Sequence, residues 1–151
     1  MKKFRFRLKR VLQLREQLEK QKQQELAVEL QQEHRLRQRR SWLAGQIERY
    51  YQKLRDQKSG IFRPATLQGL YNHLASLEQQ QSDNSRQLTG QQKQTAQKRE
   101  ELIAASRQRR LLELVQERRI QEYQEELKRE EAVLADEMAG TRFLWRQREG
   151  Q

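Results

Sequence analysis

The sequence predicts an all-α protein built as a long antiparallel two-helix coiled-coil hairpin. Three observations predict it. Apolar residues recur at alternating steps of three and four, the spacing of a coiled-coil seam. Glycine and proline co-operate at one place only, near residue 60. The composition, 34% hydrophobic and 35% charged, is too polar for an ordinary compact core, which needs about 45–50% apolar residues. One proline, no cysteine and 26 glutamines, beside abundant Leu, Glu, Lys and Arg, favour helix throughout.

The first helix is expected over about residues 3–58. Its stripe opens with Phe4, Leu8, Val11 and Leu18 and continues through Leu36, Leu43, Ile47, Tyr50 and Leu54. Between these ends Arg15, Lys22, Glu25, Glu29 and Gln32 occupy seam positions, with Leu26 and Leu30 beside them. That middle reads as loosely packed, since nothing in it stops a helix.

The turn is expected at about residues 59–64. Gly60 can take the left-handed conformation that closes a helix, Pro64 suits the first turn of the next, and Arg63 before the proline is pushed away from helical geometry.

The second helix is expected over about residues 65–140, on Leu67, Leu70, Leu74, Leu77, Leu88, Leu102, Ala105 and Leu112. The stripe then slips by about one position to Ile120, Leu127 and Leu134. The polar run Gln79–Ser85 is where a bend or interruption of this helix would fall. Folding at residue 61 or 62 sets Phe4 opposite Arg119–Tyr123 and leaves Met138, Phe143 and Trp145 on an overhang, to fray or to wait for another protein. The whole of residues 1–151 is thus read as a single coiled-coil domain, and seam pairing within one chain implies a monomeric hairpin.

Charge is uneven. Residues 1–58 hold 17 basic and 7 acidic side chains, a net of +10, within a total of +11. Residues 111–138 hold 4 basic and 9 acidic, a net of −5. Antiparallel pairing sets Glu122, Glu125, Glu126, Glu130 and Glu131 beside Lys2, Lys3, Arg5, Arg7, Lys9 and Arg10, so charge favours the same register.

Catalytic chemistry is hard to find. His34 and His73 lie far apart with no metal-ligand spacing, and no Gly-rich phosphate loop exists. Adjacent acids such as Glu100–Glu101 do not converge, and a thin hairpin offers no pocket to shift them. No enzyme activity, cofactor, metal or small-molecule substrate is expected. No stretch approaches the roughly 20 apolar residues of a membrane span, and Met1–Leu8 is basic without a signal peptide's apolar run, so a cytoplasmic protein is expected. The basic runs Arg35–Arg40 and Arg107–Arg110 read as solvated flanks of a coiled coil.

The opening Phe4-Arg-Phe-Arg-Leu-Lys-Arg-Val-Leu-Gln-Leu-Arg-Glu16, followed by Leu18-Glu19 and Glu25-Leu26-Ala27, resembles the start of the flagellar FliJ proteins. The specific motif covers about the first 27 residues. Length, turn position, basic character and Gln/Glu/Arg richness extend the resemblance along the chain. It implies a small non-enzymatic component of the bacterial flagellar type III export apparatus, similar to the central stalk of rotary ATPases. The partners it implies are the hexameric export ATPase, the export gate protein FlhA and export chaperones, at the cytoplasmic face of the inner membrane. By analogy with a stalk, the end carrying both termini would engage the ATPase ring through Arg5, Arg7, Lys9, Arg10, Phe143 and Trp145. The family's gate-contacting stripe, matched without gaps, falls on His73, Leu77, Gln80 and Asn84. Two other readings of the residues stay open: a nucleic-acid-binding basic coiled coil, less favoured because Phe4 and Phe6 alone make a poor base-stacking surface, and a scaffolding coiled coil.

Overall fold

The computed structural model describes residues 3–58, 60 and 63–150, with the side chain of Lys58 left aside. Two helices account for nearly all of them: α1, Lys9–Lys58, of 50 residues, and α2, Pro64–Glu149, of 86 residues. They pack against each other antiparallel. As the α1 residues rise through Lys22, Glu29, Leu36 and Tyr51, their partners on α2 fall through Glu101, Gln91, Asn84 and Glu78.

Packing divides the chain into two compact units, Leu18–Ala105 and Met1–Gln17 with Ser106–Gln151. In the unit of residues 18–105, Leu43, Leu54, Leu74, Leu77, Leu88 and Ala105 form the buried seam, and Leu43 is 0% exposed. On α2, positions 67, 70, 74, 77, 81, 84, 88, 91, 95, 98, 102 and 105 are half-buried or buried, an alternation of three and four with only 101 half-buried beside it. The rhythm holds where the residues are polar: Asn84, Gln91 and Thr95 are buried. Gln79–Ser85 therefore does not interrupt α2, because Asn84 stands at a seam position and has a partner there.

The middle of the α1 seam is likewise tied by polar contacts. Lys22 reaches Glu101 at 3.1 Å and Glu25 at 3.3 Å, while Lys98 reaches Glu25 at 3.1 Å and Glu101 at 3.4 Å. The Gln91 amide donates to both the backbone carbonyl and the carboxylate of Glu29, and the Thr95 hydroxyl donates to the Gln91 carbonyl at 3.0 Å. Buried polar groups are tolerated when so partnered. Glu33, not Gln32, takes the buried position and accepts from Arg37 at 2.6 Å.

In the unit of residues 1–17 and 106–151, α1 starts at Lys9 rather than near residue 3. Residues 3–6 are non-helical, with Phe4 and Phe6 half-buried and Lys3, Arg5 and Arg7 exposed. Phe-Arg-Phe-Arg alternates with period two, the pattern of an extended segment laid flat on an apolar surface. The Lys9 amide donates to the Phe6 carbonyl at 3.2 Å as the helix begins. The seam shifts by one here: Leu12 is 7% exposed, whereas Val11 is 39% exposed. On α2, Ile120, Tyr123 and Leu127 are half-buried, in the slipped phase, and the seam ends there, since Leu134 is 58% exposed. The tail is helical to Glu149, and Arg146 and Arg148 in the last turn complement the helix dipole.

Of the turn, residues 59, 61 and 62 lie outside the described residues. Gly60 does not adopt a left-handed conformation; its amide donates to the Gln57 carbonyl at 3.4 Å. Pro64 opens α2, where its missing donor is not needed, and the Arg63 carbonyl accepts from Thr66 and Leu67.

Candidate partner-binding surfaces

The first surface is the extended basic segment. The Phe4 ring lies 5.5 Å from that of Tyr123, tilted by 48°, which anchors the segment on α2. Phe6 and Leu8 line a shallow groove with Val115 and Arg119. This anchoring turns Arg5, Arg7, Lys9 and Arg10 outward, all exposed. Lys3 and Arg5 share a groove with Glu126 and Glu130, so the expected neighbourhood of opposite charge exists. The expected pairing does not: among the described residues, Lys3, Arg5, Arg7, Lys9 and Arg10 make no ion pair. The acidic stretch is answered locally instead, Glu122 by Arg118 and Arg119, each at 3.4 Å. Residues met across solvent at the rim of a narrow seam are held apart by their own hydration, and such pairs are worth little.

The second surface is the end of α2. Residues 131–150 are all exposed, and Phe143 and Trp145 are 62% and 67% exposed. They do not join the basic segment. Phe4 sits level with Tyr123, and Phe143 is 20 residues further along the helix, about 30 Å at about 1.5 Å per residue. The two halves of the set expected to face an ATPase are thus separate surfaces.

The third is the stripe His73, Leu77, Gln80 and Asn84. The four share one helical face, but Leu77 is 3% and Asn84 5% exposed, so the stripe is not an exposed one. Leu77 packs in the seam, and Asn84 donates to the Leu36 carbonyl at 3.2 Å. His73 and Gln80 are exposed and each touches α1. The His73 ring lies 4.4 Å from Tyr50, and Gln80 accepts from Arg39 at 2.9 Å. Arg39 also stacks 4.8 Å over Trp42, which is 50% exposed. Arg39 and Trp42 border this surface from α1 and were not picked out by motif; Tyr50, read as a seam residue, borders it too. The signal available was the spacing of Arg35, Arg39, Trp42, Gln46, Arg49 and Lys53 at alternating fours and threes.

The charge network inside residues 18–105 was also missed as a feature. Hydrogen bonds to Glu101 and Glu25 raise Lys22 above its ordinary value, and bonds to Glu25 and Glu101 raise Lys98. Lys98, then Lys22, lower Glu25; Lys22 chiefly lowers Glu101. Glu113 is lowered by Arg109 and Arg110, and Tyr51 is raised by donating to the Glu78 carboxylate at 2.6 Å. These shifts all follow from ion pairing or hydrogen bonding at a seam's edge.

Among the described residues there is no group of three or more acids and histidines able to hold a metal ion, and no helix long and apolar enough to cross a membrane. The family model described as "Flagellar FliJ protein" matches residues 4–148. No curated protein and no solved structure matches the chain.

Proposed function

The chain belongs to the flagellar FliJ family, whose members serve the flagellar export apparatus, and from that premise we propose that it acts there as a non-enzymatic, stalk-like subunit of the export ATPase. One chain enters the pore of the hexameric ring, promotes its assembly and hydrolysis, and transmits its state to the export gate protein FlhA. The observation that carries the ring contact is the row Arg5, Arg7, Lys9 and Arg10, exposed and free of ion pairs. Unneutralised guanidinium and ammonium groups on a rigidly anchored segment suit the carboxylates of an acidic pore lining. Phe143 and Trp145 supply a second, apolar contact further along.

The gate contact falls on His73 and Gln80, with Arg39, Trp42 and Tyr50 beside them. Leu77 and Asn84 support that surface from the seam beneath it. Docking of export chaperones and residence at the cytoplasmic face of the inner membrane belong to the same reading.

The test is hydrolysis and ring formation by the cognate ATPase with and without this protein. Stimulation of both supports a stalk; no change in either sinks it. Salt-resistant binding to nucleic acid at physiological ionic strength would favour the alternative of a nucleic-acid-binding coiled coil.

A further inference from the structure

The end of α2 carries a coiled-coil stripe with nothing on it. Leu134, Met138, Thr141 and Trp145 are spaced four, three and four, and Leu134 stands one heptad past the last covered seam residue, Leu127. Val133, Leu134, Met138, Leu144 and Trp145 are 55–67% exposed. A helix bearing this much bare apolar surface calls for a partner.

We propose that the partner of this stripe in the free protein is the same stripe of a second copy, laid antiparallel. The charge pattern selects that occupant. Residues 130–137 hold Glu130, Glu131, Asp136 and Glu137 and no cation; residues 142–149 hold Arg142, Arg146 and Arg148 and one acid, Glu149. Among the described residues, none of these eight makes an ion pair. A parallel copy sets like charge beside like. An antiparallel copy, centred between Ala139 and Gly140, brings the acidic block of one chain level with the three arginines of the other. Glu149 falls level with Glu130 of the other copy, the one like-charge pair at each end of the overlap.

The apolar layers obey the same register. Leu134 meets Trp145 of the other copy, and Met138 meets Thr141, the layering expected of an antiparallel seam. The overlap so defined spans residues 130–149. Phe143 stays on the outer face. The interface is small, so association is weak and reversible. Self-pairing uses Trp145 and therefore alternates with, rather than accompanies, any contact of Trp145 with an ATPase ring. The proposal does not depend on that contact.

The experiment is sedimentation of the full chain across a concentration series, joined to disulfide cross-linking, which is clean because the chain has no cysteine. Mass rising toward a dimer with concentration is expected, and Met138→Asp, at an exposed site of the single chain, weakens association by at least about tenfold through burial of an unpaired charge. Thr141→Cys forms a dimer with itself. Trp145→Cys does not, because the two copies of residue 145 stand 11 residues apart, about 16 Å; mixed with Leu134→Cys it does. A chain that remains monomeric at the highest concentration reached overturns the proposal and assigns the stripe to another protein. Ready self-cross-linking of Trp145→Cys indicates parallel pairing and overturns it equally.

Discussion

The side-chain amide of Asn84 donates to the backbone carbonyl of Leu36, 3.2 Å away on the opposite helix, from a position only 5% exposed. A buried polar residue in a seam costs stability but disfavours a slip of register, since a slip leaves its amide buried and unpaired. Asn84→Ala is expected to lower stability by about 1–2 kcal/mol. Asn84→Leu is expected to raise it by about 1 kcal/mol while admitting neighbouring registers. Denaturant titration measures the first effect, and hydrogen exchange, losing its single protection pattern, measures the second.

Leu43 is the one side chain with no exposure among the described residues. In a seam one side chain wide, little can collapse into the space it leaves. Leu43→Ala should cost about 2–5 kcal/mol, whereas Leu134→Ala, 58% exposed, should stay within about 0.5 kcal/mol in dilute solution. Thermal melts of the two variants separate them; equal shifts would contradict the burial.

The alternation of threes and fours was legible in the sequence, and so were antiparallel pairing and the level of Phe4 against Tyr123. Those features depend on apolar positions, which mark themselves. The polar seam positions did not. Gln91 and Thr95 look like solvent residues by type, and only heptad counting from Leu88 places them inside. Lys22, Glu25, Lys98 and Glu101 read as a weak stretch because each charge seems costly alone; the cost disappears only when the four meet. The start of α1 was misplaced because Phe4 satisfies both a helical and an extended period, and Phe6 alone decides between them. The stripe of His73, Leu77, Gln80 and Asn84 lies on one face, as spacing requires, but the seam spacing through Leu70, Leu74 and Leu77 already sets Leu77, and Asn84 one heptad on, beneath the partner helix.

The network of those four charges makes stability depend on pH with a definite sign. Glu25 and Glu101 are lowered from an ordinary value of 4.5, so their contribution is present above that value and is lost as pH falls through the depressed one. Lys22 and Lys98 are raised from 10.5, so theirs is present below 10.5 and is lost as pH rises through the elevated one. A plateau between is expected. Melting followed from pH 7 downward should show a shallower acid limb in Glu25→Gln/Glu101→Gln than in the wild type; parallel limbs would mean that the network adds nothing.

Contact between Phe4 and Tyr123, 5.5 Å between ring centres, holds the basic segment in place. Pairs of this kind add about 0.5–1.5 kcal/mol beyond area burial. Phe4→Ala is therefore expected to speed tryptic cleavage after Arg5 and Arg7 without speeding cleavage within residues 18–105. Tyr123→Ala should do the same, and the effects of the two variants should fall short of adding, since they share this contact.

That segment also supplies the sharpest test of the ring contact. If the free cations act by charge, replacing Arg5, Arg7, Lys9 and Arg10 by Glu should abolish stimulation of the cognate ATPase, while replacing the three arginines by Lys should retain most of it. Bidentate guanidinium recognition predicts instead that the Lys variant fails too. Stimulation by the wild type should weaken as salt rises from about 0.1 to 0.5 M, as surface charge contacts do. Far-ultraviolet circular dichroism guards against a trivial cause, because residues 3–6 lie outside α1 and only Lys9 and Arg10 fall in its first turn, where acids are favourable. Retained helicity with lost stimulation assigns the loss to the contact. Retained stimulation in the Glu variant removes these four residues from the ring surface and leaves Phe143 and Trp145 to carry it.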